Sequence, residues 1–114
     1  MTDIDYNARL KEIERFATAL SNREADLQAA AAEDAGFPVK ITAMEIDLAL
    51  QHLRSMQQEL DWVADRSPYG TVAAILPYDA PVVMLARLGG SAMLSGNKLR
   101  FSFSSQTPRC ASVI

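Results

Sequence analysis

The chain has 114 residues, of which 49% are hydrophobic and 22% are charged. This length is sufficient for one domain with a hydrophobic core, and the composition is typical of globular proteins. The formal net charge of −3 at pH 7 argues against a nucleic-acid partner, because phosphate binding requires a basic surface. No apolar run approaches the roughly 20 residues that cross a bilayer, so no membrane partner is expected.

Cysteine and histidine are each present once in the sequence, as Cys110 and His52. A lone cysteine excludes an intrachain disulfide and is typical of a reducing compartment. The first residues are acidic and polar, which differs from a signal peptide, so a cytoplasmic location is expected. His52 has no cysteine or carboxylate at ligand spacing, and no metal site is predicted.

Residues 1–66 are predicted to be helical. A first helix is indicated by apolar residues that share one face at helical spacing, namely Leu10, Ile13, Phe16, Ala17 and Leu20. Ser21–Glu24 has the form of a capping box, which predicts the start of a second helix that ends at Gly36. Its alanines, Ala29–Ala32, either allow a neighbouring element to approach closely or simply favour the helix, and the second interpretation is preferred.

A third helix is predicted to start at a second capping box, Thr42–Glu45, and to end near Asp65. Met56 and Trp62 on this helix are interpreted as packing residues rather than as a ligand-binding pair. The predicted inner face carries Leu48, Ala49, His52 or Leu53, Met56, Leu60 and Val63.

The second part of the chain begins with a short apolar run, Val72–Leu76, which is typical of a strand buried on both faces. Pro77–Pro81 is predicted to form a turn, because proline suits the first turn of the helix that follows. That helix, Val82–Leu94, is predicted to stop at Gly96 in the left-handed conformation. Within it, Gly89–Gly90 is interpreted as a point of close packing or a kink.

A second strand is indicated where apolar and polar residues alternate after Gly96. A strand, a helix and a strand within about 33 residues have the size of one βαβ unit with a right-handed crossover. The alternating apolar residues are Leu99, Phe101 and Phe103.

These residues resemble the start of the cofactor-binding domain of the aldehyde dehydrogenase superfamily. In that family a strand enters a Pro-Trp-Asn-aromatic-Pro turn, a helix ends at Gly-Asn, and a second strand leads to Thr-Pro. The corresponding points here are Pro77–Pro81, Gly96–Asn97 and Thr107–Pro108. The resemblance implies an α/β fold, in which N-terminal helices over 1–66 precede the first βαβ unit of a Rossmann-like parallel sheet over 70–114, as one structural unit.

The resemblance places Asp79 at the position of the family's oxyanion-stabilising asparagine. A carboxylate accepts hydrogen bonds and repels a developing oxyanion, so Asp79 can donate a hydrogen bond only when it is protonated. The alternative is that Asp79 caps the helix that begins at Pro81, where the helix dipole favours a negative charge. The capping role is preferred.

The resemblance also implies NAD or NADP as the cofactor of the intact enzyme, while two outcomes stay open for this chain alone: it binds the cofactor, or it binds none. Ser102 and Ser105 stand where the family holds the ribose with a lysine and a glutamate. Lys98 and Arg100 are interpreted as solvent-facing residues. The nicotinamide side would be lined by Ile75, Leu76, Pro77 and Tyr78, which would equally serve as a core strand and turn.

The function implied by the resemblance is that of an N-terminal fragment of an oxidoreductase that oxidises a small aldehyde or acyl derivative with NAD(P). The family's catalytic cysteine and glutamate lie downstream of the Thr-Pro point, and Cys110 matches neither. The isolated chain is therefore expected to be inactive. Residues 109–114 are interpreted as the start of the next helix, so the chain is expected to self-associate or to bind a missing C-terminal remainder.

Two other hypotheses stay open. The chain could be a non-catalytic assembly module derived from the same fold, because Asp79, Ser102 and Ser105 all depart from the family at functional positions. It could also be an unrelated small α/β domain. The short connection Arg66–Tyr69 stands where the family usually has an oligomerisation hairpin, so the usual dimer or tetramer is not assumed.

Overall fold

The computed structural model describes residues 4–114. In this part of the chain, a helical layer precedes a two-stranded parallel sheet whose strands are joined by a helix. Among residues 4–114, no helix has the length and apolar character that crossing a bilayer requires. The elements are α1 (Tyr6–Asn22), α2 (Glu24–Ala35), α3 (Val39–Arg54), a 3₁₀ turn (Met56–Glu59), α4 (Leu60–Val63), β1 (Thr71–Ile75), α5 (Pro81–Leu94), β2 (Lys98–Ser102) and α6 (Pro108–Val113).

Helix α1 has the apolar face that its sequence predicts. It begins where the carboxylate of Asp5 accepts a hydrogen bond from the backbone N–H of Ala8 at 3.1 Å. The side chains of Ile13, Ala17 and Leu20 are buried in the main hydrophobic core, and the opposite face is polar.

Helix α2 starts and ends near the predicted positions, but its start lacks the predicted capping box. Its N-cap residue is Arg23, and no side chain accepts a hydrogen bond from its first N–H groups. Because α1 extends to Asn22, the predicted capping residue Ser21 is itself helical. The C-terminal prediction is confirmed, since Gly36 adopts a left-handed conformation with φ of 69°.

The predicted capping box at Thr42–Glu45 is wrong. Helix α3 already begins at Val39, directly after Pro38, so Thr42 and Glu45 lie inside the helix. The helix ends at Arg54. The N–H of the C-cap residue Ser55 still donates to the carbonyl of Gln51 at 3.1 Å, and its hydroxyl donates to the carbonyl of His52 at 2.9 Å.

The segment after α3 is a 3₁₀ turn followed by the short helix α4, rather than the continuation of one helix. Met56 is 1% exposed and belongs to the main core, as predicted. Trp62 is 71% exposed, so it does not pack in the core of the described residues, and packing at an interface stays a prediction.

Strands β1 and β2 pair in parallel, as the two apolar segments predict. The register runs from Thr71 opposite Lys98 to Ile75 opposite Ser102. The buried side chain of Asn97 fixes the start of the pair, because its Oδ1 accepts a hydrogen bond from the N–H of Gly70 at 2.9 Å. The predicted α/β class with a first βαβ unit is confirmed.

The sheet is covered on one face only, which corrects the prediction that β1 is buried on both faces. Ala74, on the face toward α5, is 6% exposed, whereas the neighbouring Ile75 is 87% exposed. No element of residues 4–114 covers the opposite face. We call it the open face, and its side chains, all exposed, are Thr71, Ala73, Ile75, Lys98, Arg100 and Ser102.

Helix α5 lies between the helical layer and the sheet, so it buries side chains in both directions. Its two central glycines are close-packing points, as predicted. A Cβ atom at Gly89 would lie 3.0 Å from Cδ2 of Leu99 in β2. A Cβ atom at Gly90 would lie 3.3 Å from both Cδ2 of Leu53 and Sδ of Met56, on the helical side.

Two of the alanines in Ala29–Ala32 of α2, Ala30 and Ala31, are not simple helix formers, so the preferred interpretation was wrong for these two, whereas Ala29 and Ala32 are exposed. Ala30 and Ala31 are buried against Cys110 of α6. The absence of longer side chains lets α6 approach α2 closely. Residues 108–113 therefore form the helix that the sequence predicts after Thr107, docked onto the helical layer.

We predict that Gly36→Ala lowers the free energy of unfolding by roughly 1 kcal/mol, because a side chain disfavours the left-handed conformation. Gly96→Ala should lower the free energy of unfolding by more than Gly36→Ala does. Gly96 has φ of 87°, and an added Cβ would also lie 2.7 Å from Cδ1 of Ile4, whereas at Gly36 nothing lies within 4 Å. Urea unfolding of both variants checks this order, and equal losses would contradict the contact with Ile4.

Candidate functional site

The carboxyl ends of β1 and β2 lie side by side at one edge of the sheet. The N–H of Leu76 donates to the carbonyl of Ser102 at 3.0 Å, which extends the pairing to the last residues of both strands. Beyond this point the chain forms two turns, over residues 76–80 and 103–107. We call these two turns, with the strand ends that precede them, the carboxyl edge. In open parallel sheets, ligands bind in the crevice at this edge.

The structure brings the sequence-predicted cofactor residues together at the carboxyl edge. Ile75 is exposed on the open face, and Tyr78 is half exposed in the first turn. Leu76 is only 2% exposed, so its side chain is part of the core and only its backbone is available to a ligand. The remaining predicted residues, Pro77, Ser102 and Ser105, are exposed.

Two hydroxyl groups lie at the carboxyl edge. Ser102 ends β2 and Ser105 lies in the second turn, and both side chains are exposed. Lys98 and Arg100 share the open face with Ser102, but Lys98 opens β2 opposite Thr71, at the other end of the strand. Serine hydroxyls can hydrogen-bond a ribose, so the carboxyl edge offers groups for the sugar of such a cofactor.

The N-terminus of α5 is occupied by a carboxylate from another helix. Oε2 of Glu45 accepts hydrogen bonds from the N–H groups of Val82 at 2.8 Å and Val83 at 3.1 Å. These are donors that could otherwise bind a pyrophosphate. Burial raises the pKa of Glu45, the two backbone hydrogen bonds oppose that effect, and the charge of Asp79 adds to it.

The capping role predicted for Asp79 is wrong. The N-cap residue of α5 is Ala80, and no side chain at this N-cap makes a hydrogen bond. Asp79 is exposed in the turn beside it, and Glu45 supplies the capping oxygen instead. One weak sign of this was present in the sequence. The residue before Pro81 is an alanine, which has no side-chain acceptor, so the capping oxygen has to come from another element.

A second carboxylate caps α6 in the same manner. Oδ1 of Asp34 accepts from the N–H of Arg109 at 3.1 Å, and Oδ2 accepts from the N–H of Cys110 at 3.0 Å. The side chain of the N-cap residue Thr107 accepts no hydrogen bond from α6, and its hydroxyl donates to the carbonyl of Ser104 at 3.2 Å. Sequence reasoning missed both Asp34 and Glu45, because their partners lie 75 and 37 residues away.

Comparison with known proteins decides which family has this arrangement. The model of the aldehyde dehydrogenase family matches residues 1–114. The chain belongs to the aldehyde dehydrogenase family. A D-glyceraldehyde dehydrogenase (NADP(+)) of Thermoplasma acidophilum is 28% identical over 127 aligned positions, which cover 96% of this chain and 25% of that protein.

A solved structure shares the fold at lower identity. Glyceraldehyde-3-phosphate dehydrogenase GapN from Methanocaldococcus jannaschii, complexed with NADP, superimposes with a TM-score of 0.83 at 20% identity. The match covers 97% of this chain and 27% of that structure. The chain thus spans about a quarter of the length of both relatives. Their likeness confirms the Rossmann-like fold expected from the resemblance to aldehyde dehydrogenases.

The cysteine of this aldehyde dehydrogenase-family chain is structural in character. Cys110 is 2% exposed and packs against Ala30 and Ala31. Burial, followed by the hydrogen bond and charge of Asp34, raises the pKa of the Cys110 thiol to about 12. A thiol with so little thiolate is a poor nucleophile. Cys110 is therefore a small buried residue of the packing between α2 and α6.

We predict that the partial burial of Glu45 is visible as a pH dependence of stability. The pKa of Glu45 is raised above 4.5 in the folded chain, so the folded chain binds the proton more tightly than the unfolded chain. The contribution of Glu45 to the free energy of unfolding is then fully present below pH 4.5 and falls as pH rises through the raised pKa. Glu45→Gln keeps a carbonyl acceptor without the buried charge and should remove this fall.

Urea unfolding of both proteins across a pH series measures the effect as wild type minus Glu45→Gln, so that other carboxyl groups cancel. Asp47→Asn, on the exposed face of the same helix, is the matched control and should keep the wild-type profile. A difference that grows as pH rises would contradict a raised pKa. Glu45→Ala should lose roughly 1–2 kcal/mol, because two N–H groups then lack their acceptor.

Proposed function

We propose that this chain forms the first section of the cofactor-binding domain of an oxidoreductase that oxidises a small aldehyde with NADP or NAD. The observation that carries the proposal is the parallel register of β1 and β2, which places Ile75 beside Ser102 at the carboxyl edge. Membership of the aldehyde dehydrogenase family supports the reaction type. The relatives named for NADP, or complexed with it, support the cofactor. The lone cysteine supports a cytoplasmic setting.

The cofactor, when bound, supplies the hydride acceptor, and the residues of this chain bind and orient it. The hydroxyls of Ser102 and Ser105 would hydrogen-bond the adenosine ribose. Ile75, Pro77 and Tyr78 would form the wall of the crevice on the nicotinamide side, together with the backbone of Leu76. Their apolar surfaces would exclude water from the place where hydride is transferred.

Asp79 departs from the family at the position of the oxyanion-stabilising asparagine. Its carboxylate accepts hydrogen bonds and cannot donate one to an oxyanion. In the proposed enzyme, Asp79 therefore contributes an oxyanion donor only when it carries a proton. The ionised form leaves that task to other donors.

A second candidate function is a non-catalytic assembly module built on the same fold. It is favoured by the exposed apolar surface on the open face, where Ile75 is 87% exposed, and by the carboxylate at Asp79. A second copy of the chain or a C-terminal remainder would then cover that face. Cofactor binding at the carboxyl edge discriminates between the two functions, because assembly alone does not require it.

We predict that NADP⁺ or NAD⁺ added to the ¹⁵N-labelled chain shifts amide signals in residues 75–79 and 102–105. Binding should be weak, because the chain carries only part of the crevice. Ser102→Ala should weaken it by roughly fivefold, the equivalent of one lost hydrogen bond. Ser21→Ala, at the exposed end of α1, is the control and should leave the affinity unchanged. Shifts that are absent, or that fall elsewhere on the chain, would favour the assembly module.

We also predict that the pure chain does not reduce NADP⁺ in the presence of small aldehydes. The expected reason is that the Cys110 thiol, with a pKa of about 12 and 2% exposure, cannot attack a carbonyl carbon. Absorbance at the NADPH band, compared between the chain and a protein-free blank, measures the reaction. Aldehyde-dependent NADPH formation that Cys110→Ser abolishes would overturn the prediction.

A further inference from the structure

Both turns of the carboxyl edge are fixed at their two ends. Each turn leaves a strand of the parallel pair, so its first residues are held by the sheet. Each turn then enters a helix whose first N–H groups are held by a carboxylate of the helical layer. Glu45 of α3 holds the start of α5, and Asp34 of α2 holds the start of α6.

The two carboxylates extend from well-packed parts of their helices. The side chain of Glu45 leaves α3 between Thr42 and Ile46, which are 2% and 0% exposed. Asp34 lies one turn after the buried Ala30 and Ala31 in α2. A shift of either helix would therefore move the helix start to which its carboxylate is bonded, and with it the preceding turn.

The two capping carboxylates also line the same cavity. Asp34 and Glu45 line one small cavity between α2, α3 and the starts of α5 and α6. Tyr78 of the first turn and Thr107 of the second turn line the same cavity. One packed unit thus contacts both turns that carry the predicted cofactor residues.

We propose that Glu45 and Asp34 are positioning residues, which set the two turns of the carboxyl edge in the geometry that binds the cofactor. This inference rests on the proposed cofactor site, but the positioning itself is measurable without a cofactor. The role is indirect, since neither carboxylate lies among the exposed residues that would touch the ligand.

The two caps differ in a way that provides a sharp test. A single oxygen of Glu45 accepts both N–H groups, whereas Asp34 uses both of its oxygens. Glu45→Gln can therefore keep both hydrogen bonds through its carbonyl oxygen. Asp34→Asn can keep only one, because its NH₂ group donates and cannot accept.

Amide hydrogen exchange of the 114-residue chain measures the positioning. We expect Glu45→Ala to speed exchange at Val82 and Val83 by roughly tenfold, the effect of a lost cap. Glu45→Gln should restore the wild-type rates. Asp34→Ala should likewise speed exchange at Arg109 and Cys110. Asp34→Asn should restore protection at only one of these two amides.

Two further measurements decide the outcome. Asp47→Ala, on the exposed face of α3, should change neither set of amides. The amides of core residues such as Ile13 and Ile46 report global unfolding, which would speed them equally in every destabilised variant. The proposal is overturned if both alanine variants leave the amides at the two helix starts unchanged, or if these amides and the core amides accelerate together.

NADP⁺ titration of the same variants separates this inference from the proposed function. Weaker binding in Glu45→Ala and Asp34→Ala, with recovery in Glu45→Gln, supports both. If the wild-type chain does not bind NADP⁺ at all, the proposed cofactor site fails, while exchange still decides whether the carboxylates fix the turns. If the alanine variants bind NADP⁺ as tightly as wild type, the positioning inference fails and the cofactor site stands.

Discussion

Helix α5 is buried on two sides, and the rest of the structure is arranged around that constraint. It packs against α1 and α3 through residues such as Val82 and Ala86, and against the sheet through Leu85. The first N–H groups of α5 are partly buried, and Ala80 offers them no side-chain acceptor. Glu45 of the neighbouring helix α3 supplies the acceptor.

The same constraint explains two other features. Close approach on both sides of α5 is possible because Gly89 faces Leu99 and Gly90 faces Leu53 and Met56 without intervening side chains. Holding an ionised carboxylate in a partly buried place carries a desolvation cost, which is why the pKa of Glu45 is raised despite two hydrogen bonds. This desolvation occurs at the start of α5, where Glu45 fixes the first N–H groups directly after the turn that carries Tyr78 and Asp79.

The parallel pair was predictable because it depends on local pattern. A continuous apolar run, a proline-bounded turn, a helix that ends at Gly96 and an alternating segment permit few arrangements other than a βαβ unit. The matched order of these points also identified the family. The candidate residues at the carboxyl edge came from the resemblance to aldehyde dehydrogenases and not from the pattern alone.

The cap assignments failed because capping-box patterns are local, whereas the real caps are not. Thr42–Glu45 has the required residue types, yet the chain enters α3 three residues earlier. Asp79 stands next to the start of α5, yet Glu45 reaches the same N–H groups from another helix. In each case a residue type was correctly recognised as a capping type, but its partner depended on how distant segments pack.

The amino-acid sequence by itself determined the α/β class, the parallel βαβ unit, the glycine helix ends and the family, because each depends on spacing along the chain. Only the tertiary structure decided that one face of β1 is open, that Ala30 and Ala31 pack against α6, and that Asp34 and Glu45 cap helices far along the chain. The physical reason is that burial and long-range hydrogen bonds depend on which layers meet, and spacing within one segment does not specify that.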